Sequence, residues 1–216
     1  MTARLILRLG LFAIVAFVVG LVAARWLLTP REPVVPVTDN ATVLAPPRAL
    51  AALELIDQDG RPFTERSLAG HWSVVFFGFT HCPDVCPTTL TVLAQMKQRL
   101  ADLPAARQPH VVLVSVDPER DTPERLREYV RFFDASFGAV TGTAAGVEQA
   151  ASAFAVPYAK VPLPTGGYTV DHGAGVFFVS PDGEALAYSS PPLRADALER
   201  DFRRVVDYHE ELGDEQ

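Results

Sequence analysis

The period of the hydrophobic positions changes several times along the chain, and each change marks an expected element. Residues 9–24, LGLFAIVAFVVGLVAA, are uncharged and bounded by Arg8 and Arg25. A proline-rich stretch, 29–48, follows with neither helical nor strand period. LAALELID (50–57) alternates apolar and polar side chains before QDG turns the chain, which predicts an N-terminal hairpin. SVVFFGF (73–79) and HVVLVSV (110–116) are nearly unbroken apolar runs of strand length, as in strands buried on both faces. Helical spacing covers about 87–103, 121–133, 143–154 and 194–211, with Asp121 or Thr122 as N-cap and Pro123 early in the second of these helices. GAVTG (138–142) reads as a short strand. GYTVDHGAGVFFVSPDGEALAYS reads as strands that turn at Pro181-Asp182-Gly183. Strands alternating with helices, then an antiparallel pair and a closing helix, predict an α/β fold with a mixed sheet flanked by helices on both faces.

The N-terminal run changes this picture. Sixteen uncharged residues give a helix of roughly 24 Å, slightly short of a bilayer core. Snorkelling arginines, Trp26 and the flanking leucines extend it. A single transmembrane anchor over 1–28 is expected, with a cleaved signal sequence as the rival, since Ala23 and Ala24 are small. Either would export the rest of the chain. Residues 29–48 are expected as an extended tether and 49–211 as the folded domain. The net charge is −7, and removing the first 32 residues leaves 15 basic and 25 acidic side chains, a net of −10. That balance argues against nucleic acid as a partner, because phosphate binding needs clustered cations.

The chain's two cysteines, Cys82 and Cys86, stand together in FTHCPDVCPTTL (79–90), each followed by a proline. A loop this short constrains the unfolded chain little, so stability is a weak reason for the pair. The motif lies after a buried strand and at a helix start, where α/β sheets collect sites and where thiolates are favoured. Residues before proline avoid the α region, so both cysteines are expected to be extended, with Pro87 opening the helix. Three intervening residues suit a clamp on one ion and still permit a disulfide. Two thiolates need a further ligand, and His172, in YTVDHGAGVFF, is the best candidate, with glycines beside it to turn the backbone. Asp84 and Asp171 are possible outer partners or plain turn residues. His81 need not face the cysteines, and His71, His110 and His209 fall near element ends. A thiol–disulfide oxidoreductase and a structural zinc site remain alternatives, although zinc would want a fourth ligand.

The blocks FFGFTHCPDVCPTTL, VSVDPERDTPERLREYV and GYTVDHGAGVFFVSPDG, in this order, resemble the Sco/SenC family of copper-binding proteins. The resemblance covers most of residues 50–205 and implies a thioredoxin-like fold. It implies one copper, Cu(I) or Cu(II), held by Cys82, Cys86 and His172. It also implies a membrane-anchored metallochaperone rather than a turnover enzyme, with its domain on the periplasmic side of a bacterial inner membrane. The implied task is assembly of the copper-A centre, with the copper-A-bearing subunit of cytochrome c oxidase as partner, and other copper chaperones or thiol partners besides. Reduction of that partner's cysteines by Cys82 and Cys86 is the implied alternative role. Soft thiolates select Cu(I), and imidazole suits either state. The chain departs from the family at Gly173, where many members carry serine, and no proline immediately precedes the strand at 174–179.

Overall fold

The computed structural model describes residues 3–28, 34–164 and 166–214. Helix α1 is Ala3–Leu28. The folded part then runs β1 (Ala41–Ala49), β2 (Leu55–Asp57), β3 (Pro62–Phe63), β4 (Ser73–Gly78), α2 (Val85–Arg99), β5 (His110–Ser115), α3 (Pro123–Phe133), β6 (Gly138–Thr141) and α4 (Ala144–Ala153). It closes with β7 (Tyr158–Pro162), β8 (Tyr168–His172), β9 (Val176–Val179), β10 (Glu184–Ser189) and α5 (Ala195–Asp214).

Eight strands form one mixed sheet in the order β1-β10-β9-β4-β5-β6-β2-β3. β4, β5 and β6 are mutually parallel, while β9 runs antiparallel to β4. Every residue of β4 is buried, as its unbroken apolar run predicts. Its two faces are distinct. Val74 pairs with Phe178, whose ring meets Phe202 of α5 edge-on at 5.3 Å. On the other face Phe77 and Phe177 both pack on Phe154, just beyond α4, at 5.4 and 5.1 Å. Helices therefore cover both faces, as expected. β2 and β3 form the predicted hairpin, although β2 is shorter than the alternating stretch that announced it.

At the N-terminal side one expectation is corrected and another finds no support. Residues 41–48, assigned to the tether, instead belong to β1, which pairs with β10 as an edge strand. Register breaks between Val43 and Arg48, so Pro46 and Pro47 sit where they interrupt no ladder. The buried carboxylate of Asp201 holds the start of this strand, accepting from the amides of Asp39, Asn40 and Ala41 at 2.6–2.8 Å. A contact 160 residues away in sequence left no periodic trace. Residues 29–33, the start of the expected tether, lie outside the described residues. The expected transmembrane span finds no support: among the described residues no helix is long and apolar enough to cross a membrane. The uncharged run inside α1 stops at Arg8 and Arg25.

Candidate metal centre

The cysteine loop starts where β4 ends. Helix α2 begins two residues earlier than Pro87 indicated, at Val85, with Asp84 as N-cap. Cys86 is thus helical and fully buried rather than extended. Proline at the third helical position costs nothing here, because the first four amides of a helix have no internal acceptor. Asp84 makes no side-chain cap, and the Cys86 amide instead donates to Cys82 Sγ at 3.4 Å. The pair is therefore coupled through the backbone as well as through proximity. Space for Cys86 comes from Gly78: a Cβ there would fall 3.0 Å from Sγ and 2.9 Å from the Phe76 ring.

His172 is the last residue of β8, which pairs with β7 in a separate two-stranded hairpin. Its Nε2 lies 3.6 Å from Cys86 Sγ. Its Nδ1 faces the Gly173 carbonyl at 3.0 Å; a carbonyl only accepts, so Nδ1 carries the proton and Nε2 is left with its lone pair toward the sulfurs. Phe76 and Phe79 stand edge-on to the ring at 6.2 and 5.9 Å. One atom from each of Cys82, Cys86 and His172 lies within 4.8 Å of the others. Burial lowers the pKa of His172, which keeps the imidazole neutral. Burial also pushes the Cys86 thiol well above its ordinary value, with Cys82 adding to the effect. The expectation of a thiolate stabilised by a helix N-terminus fails at Cys86, because desolvation outweighs the helix dipole at a fully buried sulfur. A bound cation would reverse that balance.

Asp84 and Asp171 are both exposed, and among the described residues the group able to share one ion is Cys82, Cys86 and His172. Asp171 reaches His172 only as a weak charge. His81 turns away, against Thr80 and Arg125. The neighbouring glycines lack positive φ; Gly175 is needed for room, since a Cβ would meet the Tyr188 ring at 2.3 Å. Sequence reasoning offered Asp121 only as an N-cap, a place that Thr122 takes, and missed that its carboxylate is buried beneath the cysteine loop. It accepts from the Thr80 amide at 3.0 Å, the Thr80 hydroxyl at 2.5 Å and Ser115 at 2.7 Å. The signal was present in DPERD, a run of acids directly after a buried strand.

The family profile SCO1/SenC matches residues 44–207. A protein of Stutzerimonas stutzeri named "Putative copper-binding protein" is 38% identical over 173 residues, covering 78% of this chain and 83% of its own length. The human mitochondrial SCO1 homolog is 36% identical over 135 residues, covering 62% of this chain and 45% of its own length. This chain thus spans about half of that relative. The crystal structure of Arabidopsis thaliana ScoI with copper bound superposes with a TM-score of 0.69 at 31% identity, covering 74% of this chain and 99% of that one. The mixed sheet with helices on both faces is the thioredoxin-like architecture of the Sco structures. With 164 consecutive residues matched by the profile, and cysteines and histidine converging at the end of β4, the chain belongs to the SCO1/SenC family.

Proposed function

We propose that this chain is a copper metallochaperone. It binds one copper ion per domain through Cys82, Cys86 and His172 and gives it up during assembly of the copper-A centre of cytochrome c oxidase. The observation that carries this reading is the convergence of two sulfurs and an unprotonated imidazole nitrogen within 4.8 Å. That donor set is soft enough for Cu(I) and contains the nitrogen that Cu(II) favours. Copper would be the cargo, and the buried thiols lose their protons when it arrives. The folded unit runs from β1 to α5. Membrane attachment through α1 belongs to the same proposal: its described apolar side chains, such as Phe12 (74% exposed) and Phe17 (68%), have no cover in the lone chain. In this proposal the folded domain lies on the exported side of the membrane.

The test is anaerobic Cu(I) and aerobic Cu(II) titration of the reduced protein, beside Cys82→Ala, Cys86→Ala and His172→Ala. One equivalent should bind, either cysteine variant should abolish binding, and His172→Ala should weaken it. Wild-type binding of both copper states by His172→Ala would sink the three-ligand site.

A second reading, reduction of a partner's disulfide, has its own observation. Cys82 is the more exposed cysteine, reachable by an incoming disulfide, and the Cys86 amide donates to its sulfur. The rate at which the copper-free protein attacks a peptide disulfide decides it, and a rate no faster than a free thiol removes it.

A further inference from the structure

The hairpin that carries His172 has no strand partner in the main sheet: among the described residues β7 and β8 pair only with each other. The imidazole must nevertheless stand at one distance from the sulfurs, so something outside the ladder holds the hairpin. The segment after β5 does this. Asp117, fully buried, accepts from Arg120 Nε at 2.5 Å and from the Tyr168 hydroxyl at 2.8 Å. Arg120 Nη1 donates to the Tyr168 carbonyl at 3.0 Å. The guanidinium carbon lies 3.9 Å from the centre of the Tyr168 ring and 5.8 Å from that of Phe79. Phe79 is in turn one of the two rings against His172. Glu119 accepts from Tyr168 at 3.1 Å and pairs with Lys160 at 2.5 Å. Tyr168 is on β8 and Lys160 on β7, so both strands of the hairpin are gripped. Asp121, the next residue in the same segment, grips Thr80, two residues before Cys82.

We propose that Arg120 is a positioning residue for the histidine half of the centre. Tied to Asp117 and set over the Tyr168 and Phe79 rings, it fixes the hairpin where His172 Nε2 can share an ion with the two sulfurs. The inference rests on the copper-binding reading above. Arginine suits the task because its planar fork makes directed hydrogen bonds from its edge and stacks on rings with its face, which lysine cannot do together. Its remaining terminal nitrogen is buried with no hydrogen-bond partner among the described residues, so two nitrogens and the face do the holding.

Cu(I) can be held by two thiolates, whereas Cu(II) depends on the nitrogen. Loosening the hairpin therefore acts on one oxidation state. In the full-length protein, Arg120→Met is expected to lower Cu(II) affinity about 10–100-fold, the range for loss of an outer-shell support, and to leave Cu(I) affinity within about threefold. Nitrogen hyperfine structure in the Cu(II) electron paramagnetic spectrum should weaken. Copper-free amide exchange should speed up in residues 158–172 and stay unchanged in β4 and β5. The reduction potential of the cysteine pair should not move. Arg120→Lys should recover part of the Cu(II) affinity, and Tyr168→Phe, which keeps the stack but loses the hydroxyl, should show a smaller loss if Arg120→Met does not fold. A cycle with His172→Ala separates the two claims. If Arg120→Met has no effect in the His172→Ala background and a large one in wild type, the positioning role holds. If His172→Ala matters but Arg120→Met leaves Cu(II) affinity and spectrum unchanged, the positioning role is overturned and the ligand set stands. An equal loss of Cu(I), Cu(II) and thermal stability also overturns it, as a merely structural residue would behave that way. If His172→Ala itself changes nothing, the ligand reading fails instead.

Discussion

Cys82 and Cys86 stand after the end of a strand buried at every residue, whereas His172 stands on a hairpin whose residues are mostly exposed or half-buried. The sulfurs are placed by main chain: a parallel strand, a helix start and one amide-to-sulfur hydrogen bond. The imidazole is placed by side chains, through a knot of Asp117, Arg120, Tyr168 and Glu119. Such a centre has one rigid half and one half whose position can be released separately. In the proposed copper carrier, the adjustable half is the one a partner would act on.

The largest effect that would test this asymmetry comes from the ligands themselves. Cys86→Ala should abolish binding of both copper states, while His172→Ala should weaken Cu(II) binding strongly and Cu(I) binding much less, read by competition with a chelator. Equal losses would erase the distinction between the halves. Next is Asp121→Ala, which strands the Thr80 amide and hydroxyl and Ser115. At about 1–3 kcal/mol for each buried group left unpaired, urea unfolding should show a loss of about 3 kcal/mol or more. Because Asp121 braces the cysteine half, both copper states should weaken, in contrast to Arg120. Gly78→Ala attacks the rigid half sterically. Its Cβ must displace Cys86 Sγ, Phe76 and Leu113, costing about 1–3 kcal/mol, with a matching fall in Cu(I) affinity.

A pH dependence should also belong to the rigid half. Burial raises the pKa of Cys86 above its ordinary 9.0, so above that pH the unfolded thiol ionises while the native one stays protonated. Stability of the copper-free protein is then present below pH 9 and falls as pH rises beyond it, by up to about 1.4 kcal/mol per pH unit. The difference between wild type and Cys86→Ser across that range isolates it. The smallest effect is expected from Gly173→Ser. The added Cβ would lie 3.3 Å from Val156, a contact relieved by a small shift, so stability should change by about 0.5 kcal/mol or less and His172 should keep its ligand role.

The two halves also differed in how legible they were. The strand before Cys82 and the helix after Cys86 follow from local periodicity, and the cysteine spacing announced a shared task. The details misled where local rules competed. Pro87 suggested a later helix start, and the helix N-terminus suggested an acidic thiol, but Cys86 is helical and its burial decides its protonation. His172 was singled out because the cysteines needed a third ligand and the blocks resembled a family. Its hairpin partner β7 carries no strong alternation. Asp201 reads as an ordinary acid and Asp121 as a helix cap, since little in the local sequence marks a carboxylate that will be buried against distant amides.

What the sequence determined by itself is whatever neighbouring residues enforce: the apolar strands, the capped helices, the cysteine turn and hence an α/β domain with a thiol site. The tertiary structure decided the rest. It brought His172 within 3.6 Å of Cys86, enlisted 41–49 as an edge strand, and joined Arg120 to both a ring beside the cysteines and the hairpin of the histidine. These depend on pairings between residues tens to more than a hundred positions apart. Their strength comes from burial and from mutual hydrogen bonding, which exist only once the sheet has assembled.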